Sequence, residues 1–118
     1  MLDDEPDITT VITNSLRRNG FNVFGFTNPF LALEHFQMNF KDYSIILSDI
    51  RMPGMNGFEF VKKSREIKPE VKVLLMTAFD ISTNIVSEEL VSTKVNGFIQ
   101  KPVSSKELNS IIRKHIST

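Results

Sequence analysis

Four short apolar runs in this chain each lead into a polar residue, and that arrangement restricts the fold more than any other feature. Met1 and Leu2 lead into Asp3 and Asp4, residues 44–48 into Asp49, residues 71–76 into Thr77 and residues 97–100 into Lys101. Helical patterns separate the runs. Ile8, Val11, Ile12 and Leu16 recur at helical spacing behind Pro6, and Gly20 offers a C-terminal cap. Residues 21–26 read as a strand, and Asn28 followed by Pro29 reads as a helix start ahead of Leu31, Leu33, Phe36 and Phe40. Residues 43–50 are almost continuously apolar, as expected of a strand buried on both faces. A turn-rich loop, 52–57, precedes a helix with Phe58, Val61 and Ile67 inward, closed by Pro69. Residues 71–76 form the next strand, residues 81–93 a helix of modest helix formers, and residues 97–101 the last strand. A capping box, Ser104 to Glu107, opens a final helix lined by Leu108, Ile111, Ile112 and His115 or Ile116.

Strands alternating with helices predict a parallel sheet covered by helices on both faces. The carboxyl ends of the strands in such a sheet open on one crevice. Three carboxylates, a hydroxyl and an ammonium therefore converge although they are scattered along the chain. Such a cluster can hold a divalent metal and a phosphoryl group.

Composition narrows the function classes. The 118 residues suit one domain, 1–118, with no repeat or linker. Fourteen basic and 14 acidic side chains give zero net charge, which argues against direct nucleic-acid binding. The absence of cysteine removes disulfides and thiolate metal sites. No apolar run approaches the ~18 residues of a membrane span, and the acidic start is unlike a signal peptide. The expectation is a cytoplasmic protein with no membrane partner.

The motifs Asp3-Asp4-Glu5, Asp49-Ile-Arg-Met-Pro-Gly-Met-Asn-Gly57, Thr77-Ala78 and Lys101-Pro102 occur in an order and spacing that resembles the receiver domain of two-component response regulators. The resemblance runs from Leu2 to about Ile116. It implies an α/β, flavodoxin-like three-layer sandwich with a parallel sheet of order 2-1-3-4-5. It implies a phosphorylation-activated switch that catalyses only its own phosphotransfer and dephosphorylation. By the resemblance, Asp49 is the phosphoacceptor. Asp3, Asp4, Asp49 and the backbone carbonyl of Arg51 hold Mg²⁺, with Asp3 acting mainly through water. Thr77 and Lys101 contact the phosphoryl group, the Lys101–Pro102 bond is cis, and Phe98 is an aromatic switch moving with Thr77. Arg51 and Phe79 flank the path of the hydrolytic water, and the bulk of Phe79 predicts slow self-dephosphorylation. The physics agrees: a carboxylate can carry a phosphoryl group as an acyl phosphate, and an anion attacking an anion needs a metal. The implied partners are a histidine kinase or phosphotransfer protein, and a downstream protein or fused output domain. A homodimer through residues 81–116 is a further expectation, with Lys94, Lys106, Arg113 and Lys114 available for docking. His35 and His115 fall on helices away from the site.

One element departs from the family. Its members carry about five apolar residues before the acid pair, whereas Met1 and Leu2 stand alone here. The first strand is therefore expected to be truncated, leaving backbone groups unpaired on both neighbours. Three readings compete: the start lies late relative to the strand, another chain or a rearranged segment fills the slot, or the domain tolerates the short strand. Two other functions compete: a phosphorylation-independent pseudo-receiver module, and a haloacid-dehalogenase-type phosphatase. The phosphatase needs a second Asp two residues after the nucleophile, where Arg51 stands.

Overall fold

The computed structural model describes residues 1–78 and 94–116. Strands β1 (Ile45–Asp49), β2 (Lys72–Thr77) and β3 (Gly97–Gln100) form a parallel sheet in that order. The described helices are α1 (Pro6–Arg18), α2 (Pro29–Asn39), α3 (Gly57–Ile67) and α4 (Ser105–Ile116), with a 3₁₀ turn at Phe40–Asp42. Asp49 and Thr77 are the last residues of β1 and β2, and Lys101 follows the last residue of β3.

Leu2 extends the sheet past β1. Its N–H donates to Leu47 O at 2.8 Å, and its carbonyl accepts from Asp49 N at 2.8 Å. On its other side, Asp3 N donates to Phe26 O at 3.1 Å and Phe26 N to Met1 O at 2.8 Å. Leu2 thus forms parallel bridges to Phe26 and Ser48. The three strands bear out the 3-4-5 part of the expected order, and single bridges set Leu2 beside β1 and Phe26 beside Leu2. The strand expected over residues 21–26 is reduced to a single bridge at Phe26. A ladder needs a partner opposite each residue, and Leu2 reaches only the last of them.

The pleat sends successive side chains to opposite faces. Ile46, Val73 and Leu75 join Phe36, Phe58, Phe60 and Val61 on one side. Leu47, Leu74 and Met76 join Leu16, Leu108 and Ile112 on the other. These are the two outer layers of the sandwich.

Local signals place most helix ends. Gly20 takes φ +91°, with Gly20 N donating to Arg17 O and Phe21 N to Leu16 O, a Schellman closure of α1. The Asn28 side chain accepts from Phe30 N and Leu31 N, that of Asn56 from Glu59 N, and that of Ser104 from Glu107 N. The inward face of α1 differs from the expected one. Val11 is 63% exposed, while Thr9, Thr13, Ser15 and Leu16 are buried. The cause is close packing: the Thr9 hydroxyl reaches Asp3 O at 2.8 Å, and a Cβ on Gly25 would lie 2.7 Å from Thr13 Oγ1. Larger side chains do not fit there. The expected helix at 81–93 and the position of Phe79 lie outside the described residues.

The loop after β1 is pinned beneath Asp49. Gly57 N donates to Ile50 O at 2.7 Å, and a Cβ on Gly57 would lie 2.6 Å from Asp49 O. The atom it meets is main chain and cannot swing aside. Gly57→Ala is expected to cost about 2 kcal/mol by overpacking, read as a lower urea midpoint with an unchanged slope.

Candidate phosphoryl and metal site

The carboxyl ends of Leu2, β1, β2 and β3 meet in one cleft. It is lined by Asp4, Asp49, Arg51, Thr77, Ala78 and Lys101, with Ile8, Val11 and Ile12 of α1 and the 102–103 turn as its outer wall. Asp3 is fully buried beneath it, Asp49 is 8% exposed and Thr77 1% exposed.

Each side chain has a local reason for its position. Asp3 is aimed by the two-sided pairing of Leu2, and its Oδ1 accepts from Glu5 N at 3.0 Å. The Thr9 hydroxyl ties α1 to the Asp3 and Glu5 carbonyls, at 2.8 and 3.1 Å. Asp49 Oδ1 accepts from Ile50 N at 3.0 Å. The Lys101 N–H donates to Thr77 O at 2.7 Å, locking the turn after β3 onto the end of β2. The Lys101–Pro102 peptide is cis.

One ammonium serves two acids. Lys101 Nζ lies 2.8 Å from Asp3 Oδ2 and 3.4 Å from Asp49 Oδ1. Burial pushes the Asp49 carboxyl above the ordinary carboxylate range; Lys101 opposes this and Asp3 reinforces it. Burial, taken alone, would lower Lys101, but its hydrogen bonds and charge attraction to Asp3 and Asp49 together raise it. Carboxylate oxygens of Asp3, Asp4 and Asp49 all lie within 4.8 Å of one another. Two or three hard oxygen donors so close, with a single ammonium between two of them, suit a divalent cation of the Mg²⁺ type.

The structure brings together Asp3, Asp4, Asp49, Thr77 and Lys101, with Arg51 at the rim. Phe98 is half-buried on β3, its ring centroid 6.5 Å from that of Phe58. His35 packs among Phe24, Phe26 and Tyr43, and His115 bonds within α4; neither lines the cleft. Two contributors escaped the sequence reading. Thr9 looked like an ordinary helix residue, although a threonine one turn past the acid pair was the available signal. Gly57 looked like a turn residue, and only the backbone's approach to Asp49 shows why glycine stands there.

For an acid held above its usual value, the stabilising contribution is complete below the unfolded-state pKa and is lost as pH rises through the folded-state pKa. Ionised Asp49 therefore opposes folding at neutral pH. Without divalent ions, Asp49→Asn is expected to raise unfolding free energy by about 1 kcal/mol at pH 7. The gain should shrink as pH falls below the carboxylate range, a trend that denaturant titrations across pH measure.

Comparison with known proteins agrees with this geometry. The family model described as "Response regulator receiver domain" matches residues 1–113. Response regulator receiver protein CpdR of Brucella abortus is 30% identical over 97% of this chain and 92% of its own length. Regulatory protein AtoC of Escherichia coli is 29% identical over 97% of this chain, which spans only 24% of that protein. Among solved structures, chemotaxis protein CheY4 of Vibrio cholerae superposes with TM-score 0.86 at 25% identity, covering 96% of this chain and 92% of its own. A CheY-like receiver domain protein from Methanospirillum hungatei gives TM-score 0.89 at 22% identity, covering 98% and 90%, a likeness of fold.

Proposed function

We propose, for a chain that belongs to the response regulator receiver family, that Asp49 takes up the phosphoryl group and that Asp3 and Asp4 are the acids that serve the metal. The domain is a phosphorylation-activated signalling switch, a signalling domain rather than an enzyme in the ordinary sense. The observation that best supports the assignment of roles is the Lys101 ammonium held between Asp3 and Asp49 at the end of the sheet.

In this reading an Asp49 carboxylate oxygen attacks the phosphorus of a phosphohistidine. The phosphorus–nitrogen bond breaks, and the imidazole leaves with the electron pair and takes up a proton. Mg²⁺, held by Asp3, Asp4, Asp49 and the Arg51 carbonyl, would supply the positive charge that lets one anion attack another. Asp3 serves mainly through water. Lys101 moves its ammonium from the Asp49 carboxylate to a phosphoryl oxygen and stays anchored on Asp3. The Thr77 hydroxyl donates to a second phosphoryl oxygen. Movement of Thr77 is then passed to Phe98 on the neighbouring strand, which packs differently in the modified state. The surface around β3 and α4 is the face where the change is felt by a partner or a second copy.

The donor is a histidine kinase or a phosphotransfer protein, and the readout a downstream protein or a fused output domain. The cellular compartment proposed is the cytoplasm. No helix among the described residues is long and apolar enough to cross a membrane.

Intact mass after incubation with Mg²⁺ and a small-molecule phosphodonor tests the assignment. One added phosphoryl group is expected, absent without Mg²⁺ and absent in Asp49→Asn. A group that still adds to Asp49→Asn would place the acceptor elsewhere. Lys101→Met is expected to retain the fold but to lose the phosphorylation-dependent change in the Phe98 environment, read by NMR. A full spectral change in that variant would remove Lys101 from the switch.

A further inference from the structure

Strand β3 has little of its own to fix its position along β2. It is four residues long and opens on Gly97, where a Cβ would lie 2.8 Å from Leu74 Cδ2. A short strand that begins with a glycine specifies its register weakly. Yet Phe98 lies within this strand and Lys101 directly follows it, paired through Leu75↔Phe98 and Thr77↔Gln100.

The strand is anchored at its two ends. At the exit the Lys101 N–H donates to Thr77 O. At the entry Asn96 holds Val73 twice: its N–H donates to Val73 O at 2.9 Å, and its side-chain Oδ1 accepts from Val73 N at 2.8 Å. That second bond is itself held from outside the sheet. In the last turn of α3, Arg65 Nη2 donates to the same Oδ1 at 2.8 Å, while Nη1 donates to Lys94 O at 2.6 Å. A guanidinium offers its donors in a rigid planar fork, so Lys94 and Asn96 are fixed relative to one another. Lys94 sits at φ +54°, a conformation uncommon for a residue with a side chain, and its carbonyl is the one that Arg65 binds.

Helix α3 thus touches both halves of the site. It starts at Gly57, against Asp49 O, and its Phe58 ring faces Phe98. It ends on the anchor of β3. We propose that Arg65, acting through Lys94 and Asn96, is a positioning residue that sets β3 on β2 and so fixes Phe98 and Lys101; the consequence for phosphorylation rests on the roles given to those two residues above. Asn96 and Lys101 stand about 17 Å apart along an extended strand, and a slip at the entry is carried to the exit. A misplacement of about 1 Å at a reacting group can slow a reaction ~100-fold. Asp3, Asp4 and Asp49 follow Leu2 or end β1, so the acids proposed for the metal lie outside this route.

The test uses the full chain and Arg65→Met, which keeps the length of the side chain and removes the fork. Exchange of the Lys101 amide hydrogen is expected to quicken at least about tenfold, while the Leu2 and Asp49 amides keep their protection. With a small-molecule phosphodonor, the rate at saturating Mg²⁺ should fall at least about tenfold with the Mg²⁺ midpoint unchanged. Asn96→Ala, a change at an exposed position, should act in the same direction and serves if Arg65→Met does not fold. Asn96→Asp keeps an acceptor for both Arg65 and Val73 and should retain Lys101 protection. Unchanged Lys101 exchange in both Arg65→Met and Asn96→Ala would overturn the proposal. So would equal loss of protection at Leu2 and Asp49, or a parallel loss of Mg²⁺ affinity, since either marks general destabilisation. Exchange needs no phosphoryl chemistry: a wild-type chain that takes up no phosphoryl group would sink the functional reading, and the Lys101 amide would still decide whether Arg65 places β3.

Discussion

Much of this structure hangs on one residue's main chain. Leu2 bonds to β1 on one side, and its neighbours Met1 and Asp3 bond to Phe26 on the other. Those few hydrogen bonds join residues 21–26 to the rest of the sheet and hold Asp3 over the end of β1. Each is worth about 1 kcal/mol net, but leaving the buried groups unmade would cost more. The side chain adds to this, since Leu2 is almost fully buried against the α2–α3 layer. Pairing on both sides of Leu2 positions the acid that follows it, because direction in a sheet is fixed by pairing.

The second constraint is electrostatic. Three carboxylates crowd the cleft, two of them shielded from water, and Lys101 bridges Asp3 and Asp49. Burial works against the ionised form of Asp49. The site is thus tense without a cation and suited to receive positive charge. The same buried geometry that makes the acids repel one another brings Thr77 and Lys101 to the modified oxygen in the proposed mechanism. Stability and function draw on these side chains in opposite directions.

Some features read directly from sequence and others did not. Asn28 and Ser104 cap helices where short-range chemistry said they would, because a cap involves a few consecutive residues. Asp3, Asp4, Asp49, Thr77 and Lys101 were identified by their places after apolar runs and by likeness to receivers, and the fold does bring them together. The face of α1 was misread because its neighbour is backbone. Packing against Gly25 favours Thr9 and Thr13 inward and leaves Val11 to solvent, which apolar periodicity cannot anticipate. Residues 21–26 have strand-like composition but pair only at Phe26, since a strand is a property of two segments.

The sequence by itself determined the alternation of elements, the helix caps, the polar residues at the strand ends and the family to which their spacing belongs. These follow from local backbone preferences and from patterns of period two and 3.6, which one segment carries alone. The tertiary structure decided which carboxylates share Lys101, that Thr9 supports the acid pair, and that Gly57 must lack a side chain. Each of these depends on distances between segments far apart in the chain, and those distances are set only when the sheet and its two helical layers close on one another.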